Sequence, residues 1–156
     1  MENAPFCFEV MKMEIRTITT GDREAVIAMM ETFYASPAVW SNGSKEIFQA
    51  DVDACVGGSP YLEGYVLVES GVIVGYSMLA KSFSVEFGKP CVWIEDLYLV
   101  ENARGRGLGT AFLRFVSDKY PHAVQRLEVE EDNHRAVETY QKNGFRVLPY
   151  MEMIKK

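Results

Sequence analysis

The chain of 156 residues is poor in several things, and each shortage removes a class of protein. Its three cysteines, Cys7, Cys55 and Cys91, lie far apart without a Cys-x-x-Cys, so neither a disulfide framework nor a zinc site is indicated. No apolar run approaches the roughly 18 residues needed to cross a bilayer. The N-terminus also lacks a basic-then-apolar signal pattern: Glu2 comes first, and Phe6-Cys7-Phe8 is broken by Glu9. These features read as a reduced, cytoplasmic protein with no membrane partner. Basic residues are not in surplus. The net charge of −6 argues against a nucleic-acid partner and is compatible with a cationic substrate. With only two histidines, His122 and His134, no Ser-His-Asp or Cys-His arrangement can be discerned, so covalent catalysis is not favoured. No repeat, low-complexity segment or linker divides the chain. Residues 1–12 read as an arm of uncertain order and 13–156 as one domain, long enough for a single buried core.

What the chain does have is the stretch Arg104-Gly105-Arg106-Gly107-Leu108-Gly109, set between an apolar run and a helix-like one. Three glycines spaced two apart leave the backbone unshielded and open to conformations closed to other residues. Where such a turn enters a helix, its N–H groups and the positive end of the helix dipole face one point, which suits a phosphate or pyrophosphate. Arg104 and Arg106 add charge within reach of the same ligand. A P-loop would need Gly-Lys-Ser/Thr where this chain has Gly107-Leu108-Gly109, which argues against ATP. A dinucleotide fingerprint needs its third glycine where Thr110 stands, although Glu128 follows about twenty positions on, so a degenerate Rossmann site is the runner-up.

Around this turn the periodicities predict strand, two helices, three strands, helix, strand, helix, strand. Glu14 to Thr19 reads as the first strand. Asp22 is the expected N-cap of a helix carrying Ala25, Val26, Met29, Met30 and Phe33, and Ser44 that of a second carrying Ile47, Phe48, Val52 and Val56. Ser70-Gly71 suits a two-residue hairpin between Tyr61–Glu69 and Val72–Ser82. The fourth strand runs to Val100, the helix after the glycines buries Leu108, Phe112 and Val116, and Val124–Val129 is the fifth strand. Asn133 is the expected N-cap of the last helix, Gly144 its C-terminal cap, and Phe145–Met153 the last strand. Strands separated by helices near the end suggest a parallel pair, while the hairpin is antiparallel, so the α/β fold should contain a mixed sheet.

The pattern (Arg or Gln)-x-x-Gly-x-(Gly or Ala), followed by Asn133-His134-Arg135-Ala136, Tyr140 and Asn143-Gly144-Phe145, resembles the GNAT superfamily of acyl-CoA N-acyltransferases over roughly residues 14–154. Glu101 departs from it, since many relatives carry proline there. The stretch Trp93 to Leu99 looks most like relatives that acetylate diamines and polyamines. The resemblance implies a GNAT-like mixed, largely antiparallel sheet flanked by helices, with a parallel, splayed pair of central strands, the fourth and fifth. It implies acetyl-CoA as acetyl donor, without a metal: its pantetheine arm would pair with Leu97, Tyr98 and Leu99, and its pyrophosphate would lie on Arg104, Gly105, Arg106, Gly107, Leu108, Gly109 and Thr110. Asn133 would cap its helix or touch the cofactor. Family relatives often dimerise, so the resemblance allows a homodimer, which the sequence itself does not establish.

The reaction implied is direct attack of a primary amine on the thioester. An alkylammonium with a pKa near ~10.4 costs about 4 to 5 kcal/mol to deprotonate near pH 7, so a base or water relay is needed. Glu95 is the expected base and Asp96 the second choice; strand alternation points these neighbours to opposite faces, so only one should see the acceptor. Tyr140 is expected to meet the departing thiolate. A phenol near pKa ~10 is a weaker acid than a thiol near ~8.5, so full transfer is uphill by about 2 kcal/mol and hydrogen bonding is favoured over simple protonation. Tyr34, Trp40 and Phe83, with Glu31, Asp51, Asp53 and Glu86, are candidates to wall the acceptor pocket or receive a cation. The expected acceptor is a small cationic amine such as a diamine or polyamine. A protein N-terminus, an aminoglycoside and a non-catalytic acyl-CoA-binding module are the alternatives.

Overall fold

The computed structural model describes residues 13–156; the N-terminal arm, with Cys7, lies outside the described residues. The chain opens with β1 (Met13–Thr17) and α1 (Arg23–Tyr34). Asp22 occupies the N-cap position of α1 but makes no capping bond to it. Its carboxylate instead accepts from the Thr19 amide and hydroxyl (both 2.8 Å) and from the Arg16 guanidinium (2.7 and 2.9 Å), which holds its pKa well below the usual carboxylate range. Thus Asp22 fastens the end of β1 to the start of the helix. In α2 (Lys45–Val56), Ser44 Oγ accepts from the Ile47 amide at 3.3 Å, as its position predicts.

A hairpin follows, β2 (Leu62–Glu69) and β3 (Val72–Ser84), with Glu69 opposite Val72. Ser70 and Gly71 both have positive φ (50° and 78°), the twist that a two-residue connection between right-twisted strands requires. Next comes β4 (Lys89–Leu99), antiparallel to β3, then α3 (Leu108–Lys119), β5 (Val124–Leu127) and α4 (His134–Lys142). The five strands lie in the order β1-β2-β3-β4-β5, antiparallel except for the parallel pair β4–β5.

Each face of the sheet is covered. On one side α1 and α2 bury Val26, Met30, Phe48 and Val52 against Val66, Tyr76 and Met78. On the other, Phe112, Leu113 and Val116 of α3 pack on Leu67, Leu79, Val92 and Ile94. Side chains of this size contribute about 1.5–3 kcal/mol each when fully buried. Among the described residues no helix is long and apolar enough to cross a membrane.

The expected last strand is not formed. Residues 145–156 have no regular structure, and Val147, Met151 and Met153 are exposed. Two physical features account for this. Pro149 removes a ladder donor, and β5, at only four residues, offers little edge to pair with. The parallel pair therefore lies at one side of the sheet, with β5 as its last strand. Tyr150 Oη instead donates to Glu86 Oε1 (2.8 Å) on the turn after β3, and Lys156 Nζ sits 5.1 Å from the Trp40 ring centroid.

Candidate active site

The pairing of β4 with β5 covers only Cys91–Ile94 against Val124–Leu127, although β4 continues to Leu99. The two strands therefore part beyond Ile94 and Leu127, leaving a notch. A cleft of about 80 Å³ fills it, walled by Ile94, Glu95 and Leu97 of β4, Glu128 and Val129 after β5, Asn133, Ala136 and Tyr140 of α4, and Phe33 and Ala38 from the end of α1 and the loop beyond. Glu95, Leu97, Asn133 and Tyr140, picked from separate stretches of sequence, thus meet at one place.

Glu95 reaches the cleft because of an irregularity. Opposite β3, Met78 faces Asp96 and Leu79 faces Ile94, so Glu95 is the extra residue of a β-bulge. Its side chain is exposed, while that of Asp96 is 3% exposed and turned into the core. Only one of the neighbouring carboxylates therefore faces the cleft. Asp96 Oδ1 accepts from Tyr34 Oη at 2.9 Å and Oδ2 from Tyr76 Oη at 2.8 Å.

Glu128, which the sequence offers only as the acidic residue of the runner-up dinucleotide site, faces the same space from just after β5. Burial against the wall, a hydrogen bond with Glu152 and the charges of Glu152 and Glu95 push its pKa up to about 7, against the pull of Arg126. Glu95 is raised by burial, then by Glu152 and Asp51. Both side chains keep contact with solvent. Only the three-dimensional crossing of residues 145–156 brings Glu152 here, which no local signal announces.

Tyr140 is half-buried and packs edge-on against Phe145, with centroids 5.9 Å apart. Burial raises its pKa above the ordinary phenol value, making it a still weaker acid. Asn133 Oδ1 accepts from the Ala136 amide at 3.3 Å, so it caps α4 while also lining the cleft. Of the other expected acceptor residues, Asp53 pairs with Arg23, Glu86 takes the Tyr150 hydroxyl, and Phe83 and Trp40 are exposed. Phe33, rather than Tyr34, forms the aromatic wall.

Beyond the far end of β4 lies the glycine turn. Gly107 is the N-cap of α3 at φ 82°, and Gly105 has φ 73°, both in the left-handed region that favours glycine. The first N–H groups of a helix have no intrahelical acceptor, and the first turn of α3 carries no acidic side chain. A Cβ added at Gly107 or Gly109 would meet nothing within 4 Å, so the space over these amides is open. That donor set, with Leu108 and Thr110 in the same turn, fits a diphosphate. The arginines are disposed differently from expectation. Arg104 Nε donates to the Leu99 carbonyl (2.8 Å) and its guanidinium lies 5.5 Å from the Tyr98 ring centroid. Arg106 forms a two-pronged pair with Glu69 (2.6 and 2.9 Å). Arg135, not anticipated, has a guanidinium nitrogen 2.4 Å from where a Cβ on Gly105 would stand, so glycine there makes room for it. Of the residues expected to meet the pantetheine arm, Leu97 lines the cleft, Leu99 is half-buried, and the Tyr98 ring is buried against Phe33 and Tyr76.

The profile of the Acetyltransferase (GNAT) family matches residues 25–145, which hold the notch, the glycine turn and Tyr140. The chain belongs to this family. Among curated relatives, the uncharacterised protein YdhI of Bacillus subtilis (strain 168) is 36% identical over 88 residues, 54% of this chain and 50% of that protein. The peptidyl-lysine N-acetyltransferase YiaC of Escherichia coli (strain K12) is 27% identical over 86 residues, 55% of this chain and 51% of that protein. The chain thus spans about half the length of the curated relatives it matches. A solved structure of the aminoglycoside N-acetyltransferase AAC(6')-Iy in complex with CoA superposes with a TM-score of 0.71 over 94% of this chain and 95% of that one, at 16% identity. This last likeness is one of fold.

Proposed function

We propose that the protein is an acyl-CoA-dependent N-acetyltransferase that moves an acetyl group from acetyl-CoA to a primary amine by direct attack, with a small cationic amine such as a diamine or polyamine as acceptor. The observation that carries this reading is the placement of open helix-terminal amides after the end of β4, the strand whose unpaired stretch borders a cleft holding both carboxylates and Tyr140. Bound acetyl-CoA supplies an activated acyl thioester. The amides of Gly107 to Thr110 would hold its diphosphate, and the free edge of β4 over Leu97–Leu99 would take its pantetheine arm.

Glu95 and Glu128 flank the place where the acceptor nitrogen must sit. A carboxylate whose pKa is pushed up to about 7 is matched to removing an ammonium proton near neutrality. Glu128 therefore joins Glu95 as a base, directly or through one water. The Tyr140 hydroxyl would donate a hydrogen bond to the departing sulfur and keep its proton, because its raised pKa makes full transfer more uphill still. Negative charge from Glu95, Glu128, Glu152 and half-buried Asp51 favours a cationic acceptor. Peptidyl lysine is the second reading, supported by the relative that acetylates it.

Thiol release from acetyl-CoA across diamines, polyamines, aminoglycosides and a lysine peptide tests the assignment. Turnover fastest with a diamine or polyamine supports it, and turnover confined to the peptide would move it to the second reading. Tight CoA binding without turnover of any amine would leave a binding module.

A further inference from the structure

The buried carboxylate beside the cleft is left without a role by the chemistry above. We propose that Asp96 is a positioning residue: by accepting the hydroxyls of Tyr34 and Tyr76 it pins the β4 bulge so that Glu95, and not Asp96, faces the acceptor. The proposal rests on the reading of this cleft as an acceptor site.

Three bonds converge on Asp96. Tyr34 Oη, from the last residue of α1, and Tyr76 Oη, from β3, each hold one carboxylate oxygen, and Ser77 Oγ donates to the Asp96 carbonyl at 2.6 Å. Tyr76 and Ser77 are fully buried. Every group that faces this carboxylate is itself an acid: Tyr34 on α1, Tyr76 on β3, Glu95 on its own strand and Asp51 on α2. Among the described residues no Lys, Arg or His forms an ion pair with it. A buried carboxylate held without a cation is costly, and an apolar residue of similar size would fill the space at less expense. What the carboxylate supplies is direction.

Direction matters here because two acidic residues are adjacent at a bulge. A one-residue slip of the register would turn Asp96 toward the cleft and Glu95 into the core. Each oxygen of the Asp96 carboxylate holds one tyrosine hydroxyl, on α1 and on β3, so the pair of bonds selects the observed register. The same clamp draws in the end of α1, whose Phe33 forms the aromatic wall of the cleft. Burial pushes the pKa of Asp96 up to about 6 against the two tyrosine bonds, so the clamp is complete only above that pH.

The test compares the wild type with Tyr34→Phe, Asp96→Asn and the double variant at pH 8. Each single change is expected to lower kcat/KM for the amine at least tenfold while the Kd for CoA stays within twofold. The double variant should be no worse than the poorer single one. Hydrogen exchange should quicken together over residues 33–38 and 94–97. Tyr34→Phe keeps the ring and the charge, so it decides the matter if Asp96→Asn does not fold. Amine kinetics within twofold of wild type in a folded variant, additive losses, or faster exchange in one segment alone would overturn the proposal. If the wild type turns over no amine, the acetyltransferase reading fails separately and the exchange measurement still judges the clamp.

Discussion

The two ends of the β4–β5 notch are built in opposite ways. At the glycine turn the groups come from one run of seven residues, 104–110, and the donors are backbone amides whose direction follows from the left-handed Gly107 and the helix after it. At the acceptor end Phe33, Asp51, Glu95, Glu128, Tyr140 and Glu152 arrive from six separate places in the chain. One end presents positive dipoles with no acidic side chain in the first turn; the other gathers carboxylates. On the function proposed above, an anionic carrier and a cationic acceptor would be sorted to opposite ends before any contact between them forms.

The sharpest way to break this contrast is at Gly107. A β-branched side chain is strained at φ 82°, yet a Cβ there meets no protein atom. Gly107→Val should therefore leave a folded protein that has lost at least about 100-fold in CoA affinity by calorimetry, or about 2.7 kcal/mol or more. A next largest effect is expected for Tyr140→Phe: kcat lower by about 10- to 100-fold, consistent with losing one transition-state hydrogen bond, with CoA affinity unchanged. A loss of CoA binding instead would reassign Tyr140 to packing.

The two carboxylates can be separated by pH. Activity limited by a base of pKa about 7 should fall as pH drops through that value, because Glu128 then gains a proton. Glu128→Gln should remove that limb and Glu95→Gln should leave it; the opposite outcome would make Glu95 the sole base. Asp96 gives a stability prediction. Its pKa is about 6 in the folded protein against 3.8 for an ordinary aspartate. Between these values the folded state holds a proton that the unfolded state has released, so this group's contribution falls as pH rises from 4 to 6. The difference corresponds to about 3 kcal/mol, and Asp96→Asn should flatten the dependence of chemical denaturation on pH across that window.

The same contrast decides what could be read from sequence. The glycine turn, the Ser70-Gly71 hairpin and the caps at Ser44, Asn133 and Gly144 are local events, each set by a few adjacent residues, and all are where the pattern puts them. Alternation points Glu95 and Asp96 to opposite faces, but the bulge that breaks it and puts Glu95 at the cleft has no local signal. What escaped was non-local. Asp22 has the composition of a cap but is claimed by Arg16, six residues back in the chain. Phe145–Met153 has apolar residues enough for a strand but no edge long enough to receive it, and its actual path carries Glu152 to Glu128. Arg135 lies against the glycine turn only because Gly105 leaves room for its guanidinium.

The link between Arg106 and Glu69 gives the turn an anion of its own. Glu69 closes β2 and is largely shielded from solvent, so any incoming phosphate that engages this guanidinium does so in competition with a resident carboxylate. Such a rival would raise the ligand concentration needed to fill the turn, and Glu69→Gln would lift the restraint, tightening the grip on a phosphate while loosening the corner where the hairpin meets the helix.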